Sequence, residues 1–123
     1  MLKGHRDLKV YQLGYDLAME IFHVSRSFPR EERYSLTDQI RRSSRSVATN
    51  IAEAFRKRRY PNHFISKLTD CDAEASETQV WLDFAHDCGY LTRANRDRLA
   101  FGYEEVGKML AGMMNNPQKF VVS

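Results

Sequence analysis

The sequence predicts an all-α protein, an antiparallel up-down-up-down four-helix bundle in one domain over residues 1–123. Three observations lead there. Four segments repeat apolar residues at steps of three and four. Pro, Gly or a capping hydroxyl bounds each segment, and the connections are short, which makes neighbouring helices antiparallel. No segment alternates apolar and polar residues with period two for long enough to form a strand. A chain of 123 residues fits one domain and can bury roughly two thirds of its unfolded surface, so it needs no staples.

Residues 1–6 read as a loose leader, and the first helix as residues 7–27. Val10, Leu13, Leu17, Ile21, Val24 and Phe28 form one stripe. Tyr11, Tyr15, Ala18 and Phe22 form a second, rotated by about 110° at 100° per residue. Together they make roughly 200° of the circumference apolar or aromatic, more than the ~100° of an ordinary surface helix. The surplus points to a second buried face against another subunit; the competing reading places the tyrosines at a rim with wet hydroxyls. Pro29 stops this helix.

The second helix is expected over residues 36–57, with Ser35 as N-cap and Asp38 in the capping-box position. Leu36, Ile40, Ser43, Val47, Ile51 and Ala54 form its core stripe, with Asn50 beside them. Ser43, Ser44, Ser46, Ala48, Thr49 and Ala52 are small and let neighbours come close. Pro61 takes the N1 position of a third helix over residues 61–88, closed by Gly89. Its seam is Phe64, Leu68, Cys71, Ala75, Thr78, Leu82 and Ala85. Thr92 caps a fourth helix over residues 93–114, with Leu99, Tyr103, Val106, Leu110 and Met113 inward. Gly102, Gly107 and Gly112 weaken it by roughly 1 kcal/mol each relative to Ala, and are tolerable where backbones pack closely. Asn115–Pro117 stops it, and the partly apolar tail either docks on a neighbour or frays.

Charge carries the clearest functional signal. Between Arg41 and Arg59 stand seven Lys/Arg (Arg41, Arg42, Arg45, Arg56, Lys57, Arg58, Arg59) against one acid, Glu53, while the whole chain is +3. Asp70 to Asp87 holds six acids and no Lys or Arg. In one reading the two segments pair with each other and set register. In the other some arginines stay free and meet nucleic-acid phosphates, with Tyr60 as a stacking residue beside Arg56–Arg59. Asn50, placed on the buried side, is expected to find partners among Ser43, Ser46 and Glu77. Ser46, Asn50, Glu53 and Glu77 then form a structural polar network that fixes register, and a ligand pocket is the competing reading.

The sequence lacks the usual marks of catalysis. His5, His23, His63 and His86 are scattered, and no metal-ligand spacing, phosphate-binding glycine loop or nucleophile elbow occurs. The expectation is no enzyme, no metal and no cofactor. Cys71 and Cys88 lie about 25 Å apart along one helix and cannot pair within it. With no secretory signal and no apolar run of membrane length, the expected setting is cytoplasmic, away from membranes.

The segment RRSSRSVATNIAEAF resembles the signature of bacterial four-helix-bundle proteins first noticed as products of intervening sequences in 23S ribosomal RNA genes. Ser46, Val47, Asn50, Ile51, Ala52, Glu53 and Phe55 match it. So do the opening Asp7–Leu8–Lys9–Val10, Phe28–Pro29 with Glu32–Arg33–Tyr34 and Leu36–Thr37, and Glu77–Thr78 followed by Gly89–Tyr90–Leu91. Ala54 stands where Gly is usual, and Ala73–Glu74 where Gly–Ser is common. The resemblance implies a homopentameric ring without enzymatic activity. A related branch resembles the accessory variability proteins of diversity-generating retroelements, which implies binding of RNA or DNA and of a reverse transcriptase. The combined expectation is a homo-oligomer whose seven basic residues contact phosphates without reading bases. The alternative is an oligomeric scaffold or protein-interaction module without nucleic acid.

Overall fold

The structure, a computed structural model, describes residues 2–120. Four helices, α1 (Lys9–Ser25), α2 (Asp38–Arg56), α3 (Pro61–Asp87) and α4 (Arg93–Asn115), form an antiparallel bundle. α2 packs on α1 and α3, and α4 closes the square against α3 and α1, so α3 lies diagonal to α1. Among the described residues there is no strand, and no helix is long and apolar enough to cross a membrane.

The periodic positions form the core. Ile21, Ile40, Val47, Ile51, Phe64, Leu68, Leu82, Leu99, Val106 and Leu110 have no solvent exposure. The expected seam of α3 is buried throughout, from Phe64 to Ala85. The small residues of α2 do what their size allows. Ser43 and Ser44 are fully buried, and a Cβ on Gly14 of α1 would meet Val47 at 3.4 Å. Gly102 has the same role between α4 and α1, because a Cβ there would lie 2.5 Å from Leu17 Cδ2. Gly107 and Gly112 have no such contact, so close packing accounts for only one of the three glycines of α4.

The helix ends show which local signals governed. Thr92 Oγ1 accepts from the Asn95 N–H at 3.1 Å, as its N-cap position requires. Gly89 takes φ +83°, and the Tyr90 N–H returns to the Ala85 carbonyl at 2.9 Å. Pro61 stands first in α3. Ser35 is not a cap. Residues Arg33–Thr37 form a π-helical turn that runs straight into α2, and the Ser35 hydroxyl donates instead to Glu32 at 2.6 Å. Leu36 and Thr37 are buried in that turn, so tertiary packing extends the helical path past the local stop signal.

Residues 2–6 of the leader are held in place too. Asp7 accepts from the Lys3 and Gly4 N–H groups at 2.8 and 3.3 Å and holds a 3-10 turn, His5–Asp7, ahead of α1. In the tail Phe120 packs on Phe64 of its own chain, ring centroids 5.6 Å apart, so this part docks intramolecularly; residues 121–123 lie outside the described residues.

Candidate nucleic-acid interface

The seven basic residues of the α2 region do not form one surface. Arg42 faces α3, where it bonds Glu74 at 2.9 Å and also Glu77. Trp81 Nε1 donates to the same Glu77 carboxylate at 3.0 Å. That N–H, with the Arg42 guanidinium, holds Glu77 below the usual carboxylate range. Arg41 and Arg45 turn the other way, toward α1. Their guanidinium carbons lie 4.9 and 5.9 Å from the Phe22 ring, Arg26 adds a third at 5.8 Å, and Arg41 Nε donates to Ser25 Oγ at 2.8 Å.

The far end of α2 is different. Arg58 folds over Phe55 at 3.8 Å and donates to its carbonyl at 2.8 Å, a C-terminal cap of the kind a cation makes at the negative end of a helix. Arg56, Lys57 and Arg59 form no ion pair among the described residues and are exposed. Tyr60, 57% exposed, stands beside them against His63, centroids 5.6 Å apart.

Up-down topology brings more charge to this end, and sequence reasoning missed it. The start of α1, the end of α2, the start of α3 and the end of α4 all lie here. The His5–Asp7 turn packs on α2, and the Pro117–Lys119 turn packs on α3. Lys57, His63, Lys67 and Asp70 share one surface hollow, and Leu8, Lys9, Met113 and Phe120 share another. Residues 2–9, 55–67 and 110–120 together hold nine Lys/Arg (Lys3, Arg6, Lys9, Arg56, Lys57, Arg58, Arg59, Lys67, Lys119) and one acid, Asp7. Lys67 pairs with Glu53 at 2.9 Å. The signal that could have found this cluster was parity: in such a bundle, alternate helix ends share a face.

The expected network of Ser46, Asn50, Glu53 and Glu77 does not form. Glu53 is exposed with Lys67, Glu77 serves Arg42 and Trp81, and Ser46 lends only its carbonyl to Thr49. Asn50 is half-buried, and the side-chain hydrogen bonds among the described residues do not include it. Its position explains this: it is displaced about 60° around the helix from Val47, off the core axis. The buried polar links lie one turn deeper. Thr78 donates to Ser43 Oγ at 2.8 Å, Ser43 donates to the Ile40 carbonyl at 3.3 Å, and Cys71 Sγ donates to the Val47 carbonyl at 3.2 Å. Burial pushes the Cys71 thiol up to about 12, so it stays protonated and donating. Cys88 is exposed. Among the described residues no three His, Cys, Asp or Glu come together as a metal site.

Residues 6–112 match the family described as 23S rRNA-intervening sequence protein. The chain belongs to that family. It is also similar to a solved structure from Bacteroides thetaiotaomicron, a protein of unknown function from the S23 ribosomal protein family. The two share 27% identity and a TM-score of 0.76, over 85% of this chain and 97% of that one. No curated protein matches the chain. The family signature, Ser46 to Phe55, lies on the close-packed C-terminal half of α2, where Val47, Ile51 and Ala54 are fully buried. In this member of the family, then, the signature marks helix packing, and the unmatched charge begins where the signature stops.

Proposed function

We propose that this chain is a non-enzymatic, homo-oligomeric bundle, with five copies as its family resemblance implies, that binds RNA or DNA through the basic end. One observation carries the reading: nine Lys/Arg gather from four separate helix ends, with three acids beside them, Asp7, Glu53 and Asp70. A surface of this kind binds phosphates by releasing counterions, without base readout. Tyr60 and His63 add a stacking platform for an unpaired base. Arg56, Lys57 and Arg59 are the principal contacts, joined by Lys3, Arg6, Lys9 and Lys119. Arg41, Arg42, Arg45 and Arg58 contribute less, because each already has a partner within the chain. An accessory role beside a reverse transcriptase would use the same surface.

The test is binding of a structured RNA across a salt series. With about six phosphate contacts, affinity should fall roughly 10³-fold between 50 and 200 mM salt. No binding at low salt, or binding indifferent to salt, sinks the reading. The scaffold alternative draws on the Arg42 pairs with Glu74 and Glu77. Gln at Arg56, Lys57, Arg58 and Arg59 separates the two: lost RNA binding with the oligomer intact supports the interface, and dissociation of the oligomer supports the scaffold.

A further inference from the structure

Among the exposed apolar surfaces of the described residues, two have surroundings of opposite charge. One is the trough between α1 and α2, about 340 Å³, floored by Ala18, Ala48 and Ala52 and walled by Tyr15 and Met19. These wall residues are 51% and 40% exposed. Arg45 lines the trough, and Arg26 and Arg41 stand with it over Phe22 on the same side of α1. The other patch is the outer face of α3. Val80 and Phe84 are 51% and 54% exposed there, Ala73 continues the row, and Trp81 lies against Phe84 at 5.9 Å. Asp70, Glu77, Asp83 and Asp87 surround it; Glu77 and Asp83 are paired within the chain with Arg42 and Arg96, while Asp70 and Asp87 pair with no Lys or Arg among the described residues.

We propose that the α1–α2 trough of one protomer receives the outer face of α3 of a second copy, head to tail. The shapes fit: Ala73, Glu77, Val80 and Phe84, at steps of four, three and four, form a ridge, and the alanine floor forms a groove wide enough for one. The charges also fit, arginines against carboxylates, with the apolar contact between them. Self-pairing is disfavoured on both sides. Trough against trough sets Arg26, Arg41 and Arg45 against themselves, and α3 against α3 does the same with Asp70 and Asp87, the two acids of this face that no Lys or Arg pairs among the described residues. The contact is therefore heterologous. α3 sits diagonal to α1, so one chain offers its two surfaces in different directions and engages two neighbours at once. Such a contact closes into a ring when its rotation allows. The inference deepens the oligomeric part of the proposed function and rests on it; RNA binding at the basic end is not required.

Light scattering after gel filtration tests it with two variants. Tyr15→Glu with Met19→Glu spoils the trough, and Val80→Glu with Phe84→Glu spoils α3. All four side chains are exposed, so helical circular dichroism should be unchanged. A second pair on the rims, Arg41→Glu with Arg45→Glu and Asp83→Lys with Asp87→Lys, stands in for any variant that loses its helical signal. Wild type should run at several times the 14.4 kDa protomer mass, and each variant at the protomer mass. Mixing the two should give a species of twice the protomer mass and nothing larger, because only one good trough and one good α3 face remain per pair. Wild type at protomer mass overturns the oligomeric reading itself. An oligomeric wild type whose mass either variant leaves unchanged overturns the assignment of surfaces alone. A mixture that stays at protomer mass overturns the head-to-tail pairing.

Discussion

The two ends of this bundle carry the same number of positive charges and use them differently. Residues 19–45 and 73–103 hold nine Lys/Arg and nine Asp/Glu. There Arg42 bonds Glu74 and Glu77, Arg96 bonds Asp83 at 3.3 Å and Asp97 at 2.7 Å, and Arg98 reaches Glu20 on α1 at 2.6 Å. Glu32 accepts from Ser35 and Tyr90. At the other end residues 2–9, 55–67 and 110–120 hold nine Lys/Arg and one acid, Asp7, with Glu53 and Asp70 bordering them. Like charge held together weakens the fold by self-repulsion, and Arg56, Lys57 and Arg59 form no ion pair among the described residues to offset it. Matched charge can be explained by register and helix pairing; unmatched charge on exposed side chains has no such explanation within the chain.

The largest effect that could break this comparison is on nucleic-acid binding. Gln at Lys3, Arg6, Lys9, Arg56, Lys57 and Arg59 should lower RNA affinity about a hundredfold or more at low salt. Gln at Arg30 and Arg93, in the balanced half, should change it less than about threefold, as filter binding or fluorescence anisotropy would show. Equal losses from both sets would mean that the whole surface, not one end, attracts RNA.

The glycines of α4 sharpen the comparison in terms of stability. Gly102→Ala, in the balanced half, drives a Cβ into Leu17 and should destabilise by about 1–3 kcal/mol in thermal or urea unfolding. The Glu77 carboxyl comes next. Trp81 and Arg42 hold its pKa below the ordinary value, so its contribution is full above the unfolded pKa of about 4.3 and is lost as pH falls through the lower, folded one. Urea unfolding across a pH series should therefore show the native protein losing stability below about pH 4.3 more steeply than Glu77→Gln. The smallest effect is at the basic end. Gly112→Ala enters open space on a helix and should stabilise by about 0.5–1 kcal/mol, seen as a raised Tm. A gain at Gly102, or a loss at Gly112, would reverse the packing contrast between the halves.

Ser35 and Asn50 show where local patterns mislead. Ser35 has the chemistry of a cap, but Leu36 and Thr37 are drawn into the core and carry the helical path past it. Asn50 lies close to the apolar stripe, but a displacement of about 60° is enough to leave its amide half-exposed. The helical seams of α3 and α4 suffered no such error, because seven and five inward positions in register, all but Thr78 apolar, outweigh any single residue.

By itself the sequence determined four helices, their order, the faces they bury and the packing segment of the family signature. Hydrophobic periodicity is a local property, written in steps of three and four along the chain. Only the tertiary structure decided which charges meet. It joined Lys3, Arg6, Lys9 and Lys119 to the Arg56–Arg59 corner, turned Arg42 toward α3, and put Arg41 and Arg45 with Arg26 around Phe22. Electrostatic interaction depends on distance in space, and residues a hundred positions apart become neighbours only when the bundle closes.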